Sequence, residues 1–219
     1  MKRVDLRKEL KWLFAPSARK VELVDVPAFL FAMVDGVIEP GKGPSTSTAF
    51  QEALQALYGI SYTLKFASKL RSKNPIDYPV MAPEALWWTG KGLFAFDPQR
   101  PWRWTAMILQ PDHITRAMFE AGLQQLQEKR PGPALRKLRL ERFKEGLCIQ
   151  AMHVGPYAEE PRTIERMHAF AEEKGLVLRG KHHEIYLGDP RRSKPEKLRT
   201  ILRLPVSKPR RLHRKGEAP

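Results

Sequence analysis

Apolar and polar residues alternate early in the chain. Val21-Glu22-Leu23-Val24-Asp25-Val26-Pro27 runs into Phe29-Leu30-Phe31-Ala32-Met33-Val34. Period two predicts a strand over 21–34, with Pro27 marking a bulge or an edge position. Asp35-Gly36 and Glu39-Pro40-Gly41-Lys42-Gly43-Pro44 read as a loop. Ser45 or Ser47 is placed to cap the next helix, whose Phe50, Leu54, Leu57 and Tyr58 recur at helical spacing. Gly59 is expected to interrupt that helix before Leu64, Phe66 and Leu70. Strand formers return at Tyr78-Pro79-Val80-Met81, at Ala85-Leu86-Trp87-Trp88-Thr89 and at 102–109. A helix is expected from Pro111-Asp112 to about Lys129, closed by Pro131-Gly132-Pro133.

The order of elements then starts again. Residues 146–154 read as a strand, Gly155-Pro156-Tyr157 as a turn, and Thr163 to about Gly175 as a helix. Glu184-Ile185-Tyr186-Leu187 and Thr200–Val206 read as two further strands. Short matches accompany the repeated order. Ala32-Met33-Val34-Asp35-Gly36 parallels Ala151-Met152-His153-Val154-Gly155, and Glu84-Ala85-Leu86-Trp87 parallels Glu184-Ile185-Tyr186-Leu187. The fold class expected is therefore α+β: tandem β-α-β-β units with pseudo-twofold symmetry, and antiparallel sheets around a central groove. Residues 1–18 are expected to form an N-terminal extension and 19–206 the domain. Within it, repeat 1 covers about 19–110, a helical connector 111–144 and repeat 2 about 145–206. Residues 207–219 are expected to be a basic, disordered tail.

Composition narrows the function classes. At 42% hydrophobic and 29% charged residues, the chain of 219 can bury a core. The longest apolar run, roughly 26–34, is far short of the about 20 residues that span a bilayer. No apolar signal core follows Met1-Lys2-Arg3, so a cytoplasmic location is expected, without a membrane. The single cysteine, Cys148, excludes an internal disulfide and a multi-cysteine zinc site.

The net charge of +15 raises a nucleic-acid reading. Segments 1–20, 129–144 and 181–219 carry net +5, +6 and +8, which leaves the remaining chain at −4. The positive charge thus sits on the termini and the connector. Weak, salt-sensitive polyanion affinity is expected, not specific nucleic-acid recognition.

Two features carry candidate chemistry. Trp87, Trp88, Phe94, Phe96, Trp102 and Trp104 crowd one stretch, which holds four of the five tryptophans. They form either core or an aromatic wall for a flat ligand. Trp102 and Trp104 should share a face, whereas Trp87 and Trp88 should point oppositely. Second, Glu84 and Glu184 each enter a short strand beside hydrophobes. Desolvation there would raise a carboxyl pKa and suit a general base or a partner for a ligand cation. Tyr157, Tyr186, Tyr62 and His153 could supply hydrogen bonds. A Gly-rich phosphate loop and a G-x-S-x-G elbow are both missing. His182 and His183, adjacent on a strand, face opposite sides and do not make a shared metal site.

Gln150-Ala-Met-His-Val-Gly-Pro-Tyr157, Glu160-Pro-Arg-Thr-Ile164, His182-His-Glu-Ile-Tyr-Leu-Gly-Asp-Pro-Arg191 and Glu196-Lys-Leu-Arg-Thr-Ile-Leu-Arg203 resemble the GyrI-like (gyrase-inhibitor-like) small-molecule-binding family. Tyr62-Thr-Leu-Lys-Phe66 and Glu84-Ala-Leu-Trp-Trp88 resemble its stand-alone branch, which includes cyclopropanoid cyclopropyl hydrolases. The resemblance covers about 15–206. It implies two SHS2 (β-α-β-β) modules around a groove, with the ligand carboxylate at Glu184 and its duplicate at Glu84. It implies hydrolysis of spirocyclopropane alkylating toxins without metal or organic cofactor. Glu184 with Glu84 would be the base, and Tyr157 or Tyr186 a hydrogen-bond donor. Trp87, Trp88 and Trp104, with Tyr62, Phe66 and His153, would contact the ligand. Other members join such a domain to a helix-turn-helix, for which the roughly 20 residues before the first strand leave no room. A non-catalytic binder of cationic or aromatic drugs is the alternative. Gyrase-inhibiting relatives add a protein partner as a third option, which no residue here supports.

Overall fold

The computed structural model describes residues 1–90, 97 and 99–209. The elements run β1 (Lys2–Arg3), α1 (Leu6–Glu9), α2 (Lys11–Phe14), β2 (Glu22–Ile38), α3 (Thr48–Leu70), β3 (Ile76–Asp77), β4 (Pro83–Trp88) and β5 (Trp102–Gln110). They continue with α4 (Arg116–Lys129), β6 (Arg139–Val154), α5 (Glu160–Glu173), β7 (Val177–Leu178), β8 (His182–Tyr186) and β9 (Arg199–Ser207). Phe94, Phe96 and residues 210–219 lie outside the described residues.

Six strands pair in a ring, β6-β2-β5-β4-β8-β9, and β9 pairs back onto β6. Every pairing in the ring is antiparallel. The first repeat contributes β2, β4 and β5, and the second β6, β8 and β9. The seams between repeats are like with like, β2 on β6 and β4 on β8. This is the pseudo-twofold α+β arrangement that the repeated element order implies. Closure removes the free sheet edges that two separate three-stranded units would expose.

Helices cover the outside. Phe50, Ala53, Leu57, Ile60 and Leu64 form the buried row of α3, which packs on β2 and β5, with α4 against its flank. Met167 and Ala171 of α5 join Ile149, Ala151, Leu202 and Leu204 in a second cluster.

Several local expectations fail for tertiary reasons. Gly59 does not break α3, which runs 23 residues from its Ser47 cap. A Cβ on Gly59 would come within 3.0 Å of Leu126, so the glycine serves the approach of α4. Asp35-Gly36 is not loop but strand, paired with Thr105 and Trp104. Residues 78–81 form no strand. β6 starts at Arg139, within the stretch read as connector, because β2 offers it a continuous partner up to Met33. Pro27 produces no register slip: the ladder skips Pro27 opposite Glu145 and resumes on both sides. Leu13 and Phe14 of α2 are buried and belong to the core, while Trp12 stays exposed.

The barrel interior holds a charged cluster. His183 bonds Glu145 through Nδ1 at 3.0 Å and Glu84 through Nε2 at 3.0 Å. The Arg203 guanidinium reaches Glu145 at 3.2 Å, Gln150 at 3.2 Å and the carbonyl of Leu13 at 3.3 Å. Burial opposes charge on Glu145 and His183. The attraction of His183 and Arg203 nevertheless holds Glu145 at about 2, and Glu145 with Glu84 lifts His183 to about 9. Two carboxylates thus face two cations. Removing one partner of such a set typically costs about 3–5 kcal/mol. The residual cavity there, about 10 Å³, has room for one water at most.

Gly36 tests the outer packing. A Cβ there would lie 2.1 Å from Cζ2 of Trp104. Gly36→Ala should lower stability by about 1–3 kcal/mol in urea denaturation. Trp104→Phe in the same chain should recover part of that loss. An unchanged midpoint for Gly36→Ala would show that Trp104 moves aside freely.

Candidate functional site

Period two along β8 sorts its residues. His182, Glu184 and Tyr186 face outward, while His183 and Ile185 face the barrel. The register confirms the division: Ala85 pairs with Glu184, Glu84 with Ile185, and Trp87 with His182. Side chains directly opposite share a face. Glu184, Trp87 and Tyr186 therefore lie on one side of the sheet and Glu84 on the other. Glu84 is held by His183 inside the barrel and does not share a groove with Glu184. The matched positions Glu84 and Glu184 are one residue out of step in the sheet, which a short sequence match cannot reveal.

On the outer face Glu184 is held at both oxygens. The Tyr186 hydroxyl donates to Oε2 at 2.6 Å and itself accepts from Trp87 Nε1 at 3.1 Å. His182 Nε2 meets Oε1 at 3.0 Å. The Tyr157 ring stands edge-on to Tyr186, with centroids 6.0 Å apart, and is 37% exposed. Burial, and then the nearby charges of Glu160, Glu184 and Asp189, push the Tyr157 hydroxyl up to about 12. It therefore remains an O–H donor at neutral pH. Burial and Glu184 also raise Tyr186.

Glu160, in the first turn of α5, was not foreseen. It is 4% exposed, and its Oε1 has no hydrogen-bond partner among the described residues. Burial and then the charge of Glu184 lift its pKa to about 9, with Thr200 opposing. A helix N-terminus ordinarily favours a carboxylate. Here desolvation and the neighbouring charge win, and the group is neutral at pH 7.

The other expected site residues scatter. Trp104 is 1% exposed, its ring edge-on to Phe50 at 5.1 Å, and belongs to the core. Trp87 is likewise covered, by Phe50 and Trp102, and reaches the site only through its N–H. Trp88 points to the opposite face, with Lys181 Nζ 3.5 Å from its ring centroid. His153 is buried between Thr163 and the carbonyl of Pro156 and pins the turn that presents Tyr157. Tyr62 and Phe66 are each 49% exposed on α3, where Tyr62 stacks with Tyr58. Trp87 and Trp104 are therefore core residues.

Beside Glu160 and His182, a cleft of about 210 Å³ opens between α5 and the approach to β8. No helix among the described residues is long and apolar enough to cross a membrane.

Glu160 supplies a test. Its folded pKa lies above the unfolded value near 4.5, so its contribution is fully present below about pH 4.5 and lost as pH rises through about 9. Glu160→Gln should match the wild type at pH 4.5 and gain on it towards pH 9, by at most about 1.4 kcal/mol per pH unit. Urea titrations across that range measure the difference. A constant offset would mean that Glu160 is not desolvated.

Residues 109–207 match the GyrI-like small molecule binding domain. A conserved protein from Listeria innocua is 40% identical with a TM-score of 0.84, over 93% of this chain and 100% of that one. A structure described as a hydrolase from Listeria innocua is 40% identical with a TM-score of 0.80, over the same shares. The EcmrR C-terminal domain, 10% identical with a TM-score of 0.51 over 86% of this chain and 98% of that one, shares the fold alone. No protein with a curated description matches the sequence. On the whole-length likeness to the Listeria structures and the matched domain, the chain belongs to the GyrI-like small-molecule-binding family.

Proposed function

We propose that the outer face of β4 and β8 binds flat aromatic molecules and hydrolyses cyclopropanoid alkylating toxins, a cytoplasmic detoxifying role. The observation that carries this reading is the Glu184 carboxylate, held by Tyr186 at 2.6 Å and by His182 at 3.0 Å, with the Tyr157 ring edge-on to Tyr186. A carboxylate fixed at both oxygens can orient water without rotating away. The hydrolase description of a relative 40% identical over its full length supports a hydrolytic step.

The chemistry balances with residues of this chain. Glu184 takes a proton from water as the oxygen attacks the cyclopropane methylene. The strained C–C bond breaks, and its electron pair moves through the dienone to its oxygen. The Tyr157 hydroxyl donates a hydrogen bond to that developing phenolate. The proton held on Glu184 returns through solvent, so the product is the substrate plus one water. Burial and the charge of Glu184 push the Glu160 carboxyl towards its neutral form. Tyr58 and Tyr62 offer ring faces to the flat portion of the ligand.

Incubation with a cyclopropanoid and mass spectrometry should show a gain of one water. Glu184→Gln keeps size and hydrogen bonding but cannot take the proton, and turnover should fall about 10²–10⁴-fold. Glu84→Gln, inside the barrel, should lower stability but reduce the turnover of the folded protein far less than Glu184→Gln does. If the wild type forms no product yet binds aromatic cations, and Glu184→Gln abolishes that binding, the protein is a non-catalytic multidrug-type binder.

A further inference from the structure

Trp87 is covered by protein on the outer face of β4. It is 2% exposed, and its ring centroid lies 5.1 Å from that of Phe50 and 6.3 Å from that of Trp102. Its indole nitrogen nevertheless meets the Tyr186 hydroxyl at 3.1 Å. An indole N–H can only donate. The Tyr186 oxygen therefore accepts from Trp87, and its one proton goes to its other neighbour, Glu184 Oε2, at 2.6 Å. Donation thus runs in one direction, from Trp87 to Tyr186 to Glu184. Without the indole the hydroxyl could turn its lone pairs and proton elsewhere, because a hydroxyl both donates and accepts.

That direction matters for the site. A donor aimed at Glu184 favours its ionised form, and bonds in a chain strengthen one another. The Tyr186 proton is committed to Glu184, so a developing phenolate finds its donor in Tyr157, which keeps its own proton at neutral pH. The other titratable groups near Glu184 are His182 on β8 itself, and Tyr157 and Glu160, on which its charge acts. The neighbouring strands β4 and β9 set Ala85 and Leu202 opposite Glu184, and neither ionises.

We propose that Trp87 is a positioning residue: its buried N–H directs the Tyr186 hydroxyl onto Glu184, which holds that carboxylate ionised and oriented and leaves Tyr157, not Tyr186, to bond the ligand oxygen. The inference rests on Glu184 as the ionised group of the proposed site, whether that site hydrolyses its ligand or only binds it.

The test follows kcat/KM for a cyclopropanoid across the acid range, with the full chain. Loss of a hydrogen bond to the ionised form should move the acid limb to higher pH, by about one pH unit in Tyr186→Phe and by less in Trp87→Phe. Trp87→Phe leaves His182, Tyr157 and Glu160 in place, so the movement reports the lost N–H. Phe50→Leu loosens the packing around the same indole but keeps its N–H, and should leave the limb where it is. Tyr157→Phe should lower turnover without moving the limb. If the wild type forms no hydrolysed product, the hydrolytic reading fails, and the same limb is then read from the affinity for ethidium, a planar cation. In the absence of any ligand, the Trp87 indole N–H resonance should move upfield in Tyr186→Phe. A limb unmoved in both Trp87→Phe and Tyr186→Phe would overturn the proposal, as would an equal shift in Phe50→Leu. So would a Trp87 resonance that Tyr186→Phe leaves unchanged, or full turnover in Tyr157→Phe.

Discussion

The structure depends on how one short strand distributes its side chains. In β8 the successive residues His182, His183, Glu184, Ile185 and Tyr186 must point alternately outward and inward. His183 is the residue that holds this arrangement. It lies inside the barrel between Glu84 of the neighbouring strand and Glu145 of β6, at 3.0 Å from each. A slip of one residue would bury Glu184 in its place and expel the imidazolium from its two carboxylates. An unpaired buried charge costs several kcal/mol, so the cluster specifies register even where it adds little net stability. Arg203 ties the same cluster to Leu13 and thereby anchors the N-terminal segment over one end of the barrel.

With the register set, the outer face follows. Glu184 meets Tyr186 and His182 from its own strand and Trp87 indirectly from β4. The second repeat adds Glu160 at the start of α5 and Tyr157 from the turn before it, which His153 holds. A second carboxyl group, Glu160, is pushed towards its neutral form by burial and by the charge of Glu184.

Much of this was legible in the chain. The repeated β-α-β-β order gives the ring, and the opposite orientation of His182 and His183 follows from strand geometry alone. Glu184 and Tyr186 share a hydrogen bond, with the Tyr157 ring edge-on to Tyr186. The failures share a cause: sequence shows which residues are apolar, not which partner covers them. Four clustered tryptophans suggest a ligand wall, but Phe50 from α3 closes over Trp87 and Trp104. The parallel between Glu84 and Glu184 is real as text and false as geometry, because pairing places the two on opposite faces. Glu145 and Arg203 carried a signal that could have been read: each is a charge set among strand residues, which demands a buried partner. Glu160, beside a proline at a helix start, resembles an ordinary exposed first-turn acid, and only the packing of α5 shows it buried.

Glu160 and Glu184 form one electrostatic unit on the outer face, from which Glu84 is excluded. The most direct measurement is an NMR titration of the Glu160 side-chain carboxyl in the wild type, Glu184→Gln and Glu84→Gln. The Glu160 midpoint should lie near pH 9 in the wild type. It should fall clearly in Glu184→Gln, where the like charge is gone, and stay in place in Glu84→Gln. A midpoint in the ordinary carboxylate range, or equal shifts from the two substitutions, would contradict it.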